Sequence, residues 1–166
     1  MLDEARIQFS LYSELLARGH EIILPNVSWS WLNWEADLIS ITKARYLNEF
    51  EIKISLSDFK KDFDKRKHNY FRHSNSHRMP NYFWYVAPIE AIPICIPDYA
   101  GLIEIWEGER DGRIWLKEIK RPTKIHGRKL ESLDVYSMLR TIMFKYWNLA
   151  KIGDRYKKQR DLFREF

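Results

Sequence analysis

The sequence predicts an α/β fold, a central mixed sheet flanked by helices, and three observations carry that expectation. An amphipathic stretch opens the chain, alternating stretches follow it, and a second helical stretch leads into a short apolar run of strand length. A strand, a helix and a further strand imply a right-handed parallel crossover, whereas the strands before them are joined too tightly for anything but antiparallel pairing.

Residues 3–18 keep helical spacing, with Asp3 as N-cap, Ile7, Leu11, Leu15 and Leu16 on one side, and Gly19 closing the helix. An extended stretch runs from His20 to Val27, and residues 28–34, rich in Trp, Ser and Asn, read as a loop. Two strands, 36–42 and 46–55, are joined by a tight connection at Lys43-Ala44-Arg45. Ser57 is placed to cap a helix to about Phe71, with Phe59, Phe63, Tyr70 and Phe71 as its apolar face. The run Tyr82 to Ala87 reads as a strand covered on both sides. Residues 88–99 contain three prolines and are expected to be irregular, and 101–106 with 113–119 form a hairpin closed near Asp111-Gly112. A last helix, 132–150, carries Val135, Leu139, Ile142, Met143, Tyr146 and Trp147 in one stripe, followed by a charged tail. That stripe serves equally to pack on the chain's own sheet or on a twin in a homodimer.

At 166 residues the expectation is one domain, with its core at about 4–120. No apolar run is long enough for a membrane span and no leader pattern is visible, so a cytoplasmic protein with no membrane contact is expected. The lone cysteine, Cys95, lies between Ile94 and Ile96 and is expected to be a buried thiol. Charge is unevenly placed: residues 1–59 hold nine acids against five bases, and the rest holds twenty-three bases against fourteen acids. Such a basic remainder suits an anionic partner, for which DNA is the expectation.

The chemistry centres on the second strand. Its two-residue period puts Phe50, Ile52 and Ile54 on one face and Glu49, Glu51 and Lys53 on the other. In the preceding strand Asp37 stands alone among Ala36, Leu38, Ile39 and Ile41. An odd-numbered connection at 43–45 places Asp37 opposite Glu51 on one face; an even-numbered one without a bulge separates them. Facing carboxylates repel unless a cation joins them, which makes the pair a candidate Mg²⁺ or Mn²⁺ site, with the Ile52 carbonyl as a third ligand. Lys53 is then positioned to steer the attacking water or to stabilise charge on a phosphate.

Glu35-Ala36-Asp37-Leu38-Ile39 followed by Glu51-Ile52-Lys53-Ile54-Ser55 resembles the split Asp…Glu-x-Lys motif of PD-(D/E)xK nucleases. The continuation through Leu56 to Phe63, Lys67 to Tyr70, Pro80 to Val86 and Ile96 to Ile103 is similar to MmcB-like DNA-repair proteins and their phage relatives, over residues 4–130. The resemblance implies a restriction-endonuclease-like αβββαβ core, a deoxyribonuclease that hydrolyses phosphodiesters in repair, recombination or phage DNA processing, and metal ligands at Asp37 and Glu51. Related archaeal junction resolvases carry a metal-linked Glu in the first helix where this chain has Gln8, with Glu4 one turn earlier. Gln8 is therefore included in the catalytic set as a residue for a metal-bound water, with Glu4, on the same face, as the alternative that substitutes for the missing acid. The usual Pro before the first acid is here Ala36.

Two basic clusters are the expected DNA contacts: Lys60, Lys61, Lys65 and Lys67 with Tyr70, and a second one that includes Lys120 and Lys124. Trp29, Trp31 and Trp34 either stack on unpaired bases or pack under their loop. His68, His73 and His77 lack the paired spacing of a zinc site and read as phosphate-contacting or surface groups. The alternative function is a non-catalytic nucleic-acid-binding module on the same fold, its acids serving structure alone.

Overall fold

The computed structural model describes residues 2–29, 31–73 and 78–162, with side chains described as far as residue 152, so Ser30 and His77 lie outside the described residues. Helix α1, Glu4–Ala17, begins where the Asp3 carboxylate accepts the Arg6 N–H at 2.9 Å. It ends before Gly19, whose φ of +81° suits a residue without a Cβ. Strands β1 (His20–Trp29), β2 (Trp34–Thr42) and β3 (Leu47–Ile52) follow, then α2 (Leu56–Asp62) and α3 (Arg66–His73). Strands β4 (Tyr82–Pro88), β5 (Ala100–Glu107) and β6 (Ile114–Lys120) complete the sheet, and α4 spans Ser132–Leu162.

The six strands lie in chain order, antiparallel except for β3 with β4 and β4 with β5, which are parallel. This is the expected mixed sheet, with the crossover between β3 and β4 made by the second helical segment. One face receives α1, whose Ile7, Leu11 and Leu15 pack with Leu38, Phe50, Ile52, Val86, Ile103 and Ile105. The opposite face receives α2 and α3, whose Phe59 and Phe71 pack with Phe83, Tyr85, Ala87 and Leu102. Leu16, expected on the buried side of α1, is half exposed. The chain divides into two compact units, 1–130 and 131–166. Within the second unit Leu139, Met143, Tyr146 and Trp147 are exposed. No helix among the described residues is long and apolar enough to cross a membrane.

Two expectations are corrected, and one pair of alternatives is decided. The helix expected over 57–71 is two helices, capped by Ser55, whose hydroxyl accepts the Asp58 N–H at 3.2 Å. Asp62 and Lys67 explain the break: five residues apart, they would point about 140° from each other on a straight helix, yet both are buried toward the same acid cluster. The Trp-rich segment is packed under its loop. Trp29 and Trp31 are buried and stacked with centroids 4.9 Å apart, and Leu32 is buried beside them. Cys95 is exposed, because the proline-bounded segment around it forms no strand and turns Ile92 and Ile96 toward the core while Ile94 and Cys95 face outward.

Candidate active site

The β2–β3 connection decides whether two acids meet. Thr42 N–H donates to Tyr46 O at 3.1 Å, Arg45 N–H to Thr42 O at 2.8 Å, and Arg45 takes a φ of +64°. That is a three-residue hairpin loop with its last residue left-handed. The resulting register, Ile39 on Glu49 and Leu38 on Phe50, brings Asp37 to the level of Glu51 on the side facing α2 and α3. Beyond that last pair, Asp37 Oδ2 accepts the Ile52 N–H at 2.8 Å. Burial, then the negative charge of Glu51, push the Asp37 carboxyl up to about 6, outweighing the Ile52 hydrogen bond and the Lys53 charge.

Glu51 itself is buried in a lattice of charge. Its Oε1 accepts Lys53 Nζ at 2.5 Å and Lys65 Nζ at 2.6 Å, and its Oε2 accepts Lys67 Nζ at 2.5 Å. Lys67 also reaches Glu49 at 3.0 Å, and the Trp34 indole N–H donates to Glu49 at 2.9 Å. Asp62 lies 2.6 Å from Lys65 and 3.5 Å from Lys53 through Oδ1, while its Oδ2 accepts His68 Nε2–H and the Tyr85 hydroxyl, each at 2.8 Å. The other ring nitrogen of His68 meets the Tyr99 hydroxyl at 2.7 Å.

Three buried carboxylates thus balance the buried ammonium groups of Lys53 and Lys67 and the half-exposed one of Lys65. Burial alone would lower Lys67 and raise Asp62. Instead Glu49, Glu51 and Asp62 hold Lys67 above the usual lysine value, and the His68 hydrogen bond with nearby cations holds Asp62 below the usual carboxylate range. Glu49, with less compensation, is pushed upward by burial. Asp37 stands outside this balance, half-buried and bonded by no lysine among the described contacts.

Of the expected site residues, Asp37, Glu51 and Lys53 come together, with Ile52 tied to Asp37 through its N–H. Gln8 comes from α1, on the other side of the sheet, and meets the main chain of Asp37 instead of its carboxylate. Its Nε2 lies 2.9 Å from Asp37 O, Glu4 Oε1 and Asn26 Oδ1, three acceptors around two hydrogens. Among the described residues, no group of three His, Cys, Asp or Glu side chains is arranged to hold a metal ion. A metal would therefore rest on two carboxylates supplemented by main-chain oxygen, a donor set of the hard type that Mg²⁺ and Mn²⁺ accept.

The expected DNA contacts separate into distinct environments. Lys60 and Lys61 are exposed on α2, Lys61 near Asp58 at 3.7 Å. Lys65 is half exposed but engaged by Glu51 and Asp62. Lys67 is corrected from a surface contact to an interior one: it is 4% exposed, and its ammonium is spent on Glu49 and Glu51. His68 is likewise interior. Tyr70 is half exposed beside Trp34, with ring centroids 6.3 Å apart. Lys120 donates to Pro97 O at 3.1 Å, and Lys124 lies 4.0 Å from the Tyr46 ring centroid.

Asp62, His68, Tyr85, Tyr99 and Trp34 were missed as partners of the site. The signal lay in Asp62 and Lys67, polar residues flanked by Phe59, Phe63 and Phe71 in a segment that must cover a sheet.

No family model matches the chain, and no curated protein matches it. Among solved structures it is similar to SPO1766, a protein of unknown function from Silicibacter pomeroyi, with a TM-score of 0.61 at 13% identity over 94% of each chain. At that identity the likeness shows the fold alone.

Proposed function

We propose that this chain is a divalent-metal-dependent nuclease that hydrolyses DNA phosphodiesters on a restriction-endonuclease-like core of the PD-(D/E)xK type. The observation that carries the reading is the pairing of Asp37 with Glu51 beside Lys53, with burial and the Glu51 charge holding Asp37 near a pKa of 6. A hard divalent ion, when bound there, supplies Lewis acidity and an acidified water. Asp37 and Glu51 would hold it, and the oxygen of Ile52 is the nearest main-chain supplement in sequence. Lys53, anchored by Glu51 and flanked by Asp62, presents a fixed positive charge where a scissile phosphate develops negative charge. Lys65, half exposed, is the lysine able to leave Glu51 when an ion arrives.

Purified protein incubated with plasmid and single-stranded DNA in Mn²⁺ or Mg²⁺ tests this directly. Cleavage is expected, and both Asp37→Asn and Lys53→Ala are expected to remove it while leaving the circular dichroism spectrum unchanged. Cleavage that survives both substitutions overturns the proposal.

A second reading has its own support. The lysine lattice already neutralises Glu51, Glu49 and Asp62, as in a module that binds nucleic acid without cutting it. Calorimetry with Mn²⁺ separates the two, since the module predicts no metal binding that depends on Asp37 and Glu51.

A further inference from the structure

Of the tryptophans that the sequence offered for stacking, Trp29 and Trp31 are buried and Trp34 is half-buried against Tyr70 and Phe71, but two others are more open. Trp106 on β5 and Trp115 on β6 are direct partners in the antiparallel register, and each is 43% exposed. Partners in register point to the same side of a sheet. Here it is the side of Glu51, since Glu51 aligns with Tyr85, Tyr85 with Leu102, and Trp106 lies four residues beyond Leu102.

Arg113 lays its guanidinium 4.6 Å from the Trp115 ring centroid and so enlarges the flat surface. Lys117 is exposed on the same strand face, two residues past Trp115, and Lys120 pairs with Leu102 on that side after the bulge. Glu104, opposite Lys117, is the acid among them. The indole of Trp115 is fitted to its place: a Cβ on Gly108 would come within 3.1 Å of its Nε1.

We infer that Trp106, Trp115 and Arg113 form a stacking platform for unpaired bases, with Lys117 and Lys120 following the phosphates, so that the strand presented to the acid site is single-stranded. The inference deepens the nuclease reading by naming its substrate class. Flat aromatic faces accept any base, and the adjoining cations supply the sequence-independent part of binding. The platform stands at the C-terminal ends of the parallel strands, where β3 also delivers Glu51 and Lys53. Two strands across and four residues along put Trp106 roughly 16 Å from Glu51, a span of a few nucleotides.

The test uses binding alone. A fluorescein-labelled oligo(dT) of twelve nucleotides is titrated with full-length protein in EDTA at low salt and followed by anisotropy, beside a duplex of the same length and an oligo(rU) of the same length. The single strand is expected to bind more tightly than the duplex. Trp106→Ala with Trp115→Ala is expected to weaken it by at least about tenfold, and Trp106→Phe with Trp115→Phe to restore most of the loss. Arg113→Ala with Lys117→Ala should flatten the salt dependence by about one logarithmic unit.

Equal binding by the wild type and the double alanine variant, or no binding of oligo(dT) at all, overturns the platform. Tighter oligo(rU) than oligo(dT) binding keeps the platform and reassigns its strand to RNA. Because the titration is run in EDTA and needs no cleavage, loss of the platform registers in oligo(dT) binding, and loss of the nuclease reading registers separately in the plasmid cleavage assay.

Discussion

The Oδ2 of Asp37 lies 2.8 Å from the Ile52 nitrogen and accepts its N–H, so the carboxylate is fixed against β3 at the level of Glu51. A carboxylate held there pays for two neighbours, low-dielectric protein and a like charge, and its pKa rises to about 6.

The rise has a definite sign in stability. The folded protein holds the Asp37 proton more tightly than the unfolded chain does, so the associated stability is present below about pH 4 and lost as pH rises through about 6. Asp37→Asn keeps an oxygen for Ile52 and removes the ionisation. In EDTA the variant should match the wild type near pH 4 and exceed it above pH 7 by up to about 3 kcal/mol. Urea unfolding at the two pH values checks this, and a gap that does not change with pH would refute it.

Lys67 and Lys65 both pair with Glu51, but their burial sets different costs. Lys67→Met leaves Glu49 and Glu51 short of a cation in the interior, and a loss of about 3–5 kcal/mol is expected. Lys65 is half exposed, its charge is screened by water, and Lys65→Met should cost about 1 kcal/mol or less. Equal losses in chemical denaturation would show that the lattice is less closed than its distances imply.

Much of this was legible because it depends on period and parity. The alternation of Glu49, Glu51 and Lys53 against Phe50 and Ile52, with a three-residue connection, places Asp37 beside Glu51 from sequence alone. What surrounds the pair was not legible. Lys65, Lys67 and His68 belong to a charged helical stretch whose spacing suits a solvated face. Only the break after Asp62 turns them inward, and that break answers to buried partners on β3 and β4 that no local pattern encodes. The tryptophans show the same limit: Trp29 and Trp31 bury through a loop that folds back, whereas Trp106 and Trp115, paired across β5 and β6, stay half exposed.

Cys95 lies in the irregular segment between β4 and β5 and faces solvent. Reaction rate with a disulfide reagent depends on access as well as on thiolate content. One thiol per chain should therefore react with Ellman's reagent in native buffer as fast as after urea denaturation, within a fewfold. A thiol that reacts only in urea would place Cys95 inside.

Gln8 offers a sharper test of whether this end of the sheet takes a cation. Its amide nitrogen stands 2.9 Å from three oxygens, those of Glu4, Asn26 and Asp37, and two of them gain a hydrogen bond at a time. Gln8→Glu replaces the donor by an acceptor and gathers negative charge at a point where only oxygens converge. Without metal the variant should lose about 1–3 kcal/mol, the cost of unpaired buried polar groups. With millimolar Mn²⁺ the oxygens acquire a common partner, and the melting temperature of Gln8→Glu should rise by more than that of the wild type, since stabilisation grows with occupancy of the folded state. Gln8→Ala supplies the control: it removes the donor without adding charge and should show no enlarged response to Mn²⁺. If Gln8→Glu and Gln8→Ala respond alike, the oxygens of Glu4, Asn26 and Asp37 do not form part of a cation site, and any ion held by Asp37 and Glu51 is confined to the β2–β3 face.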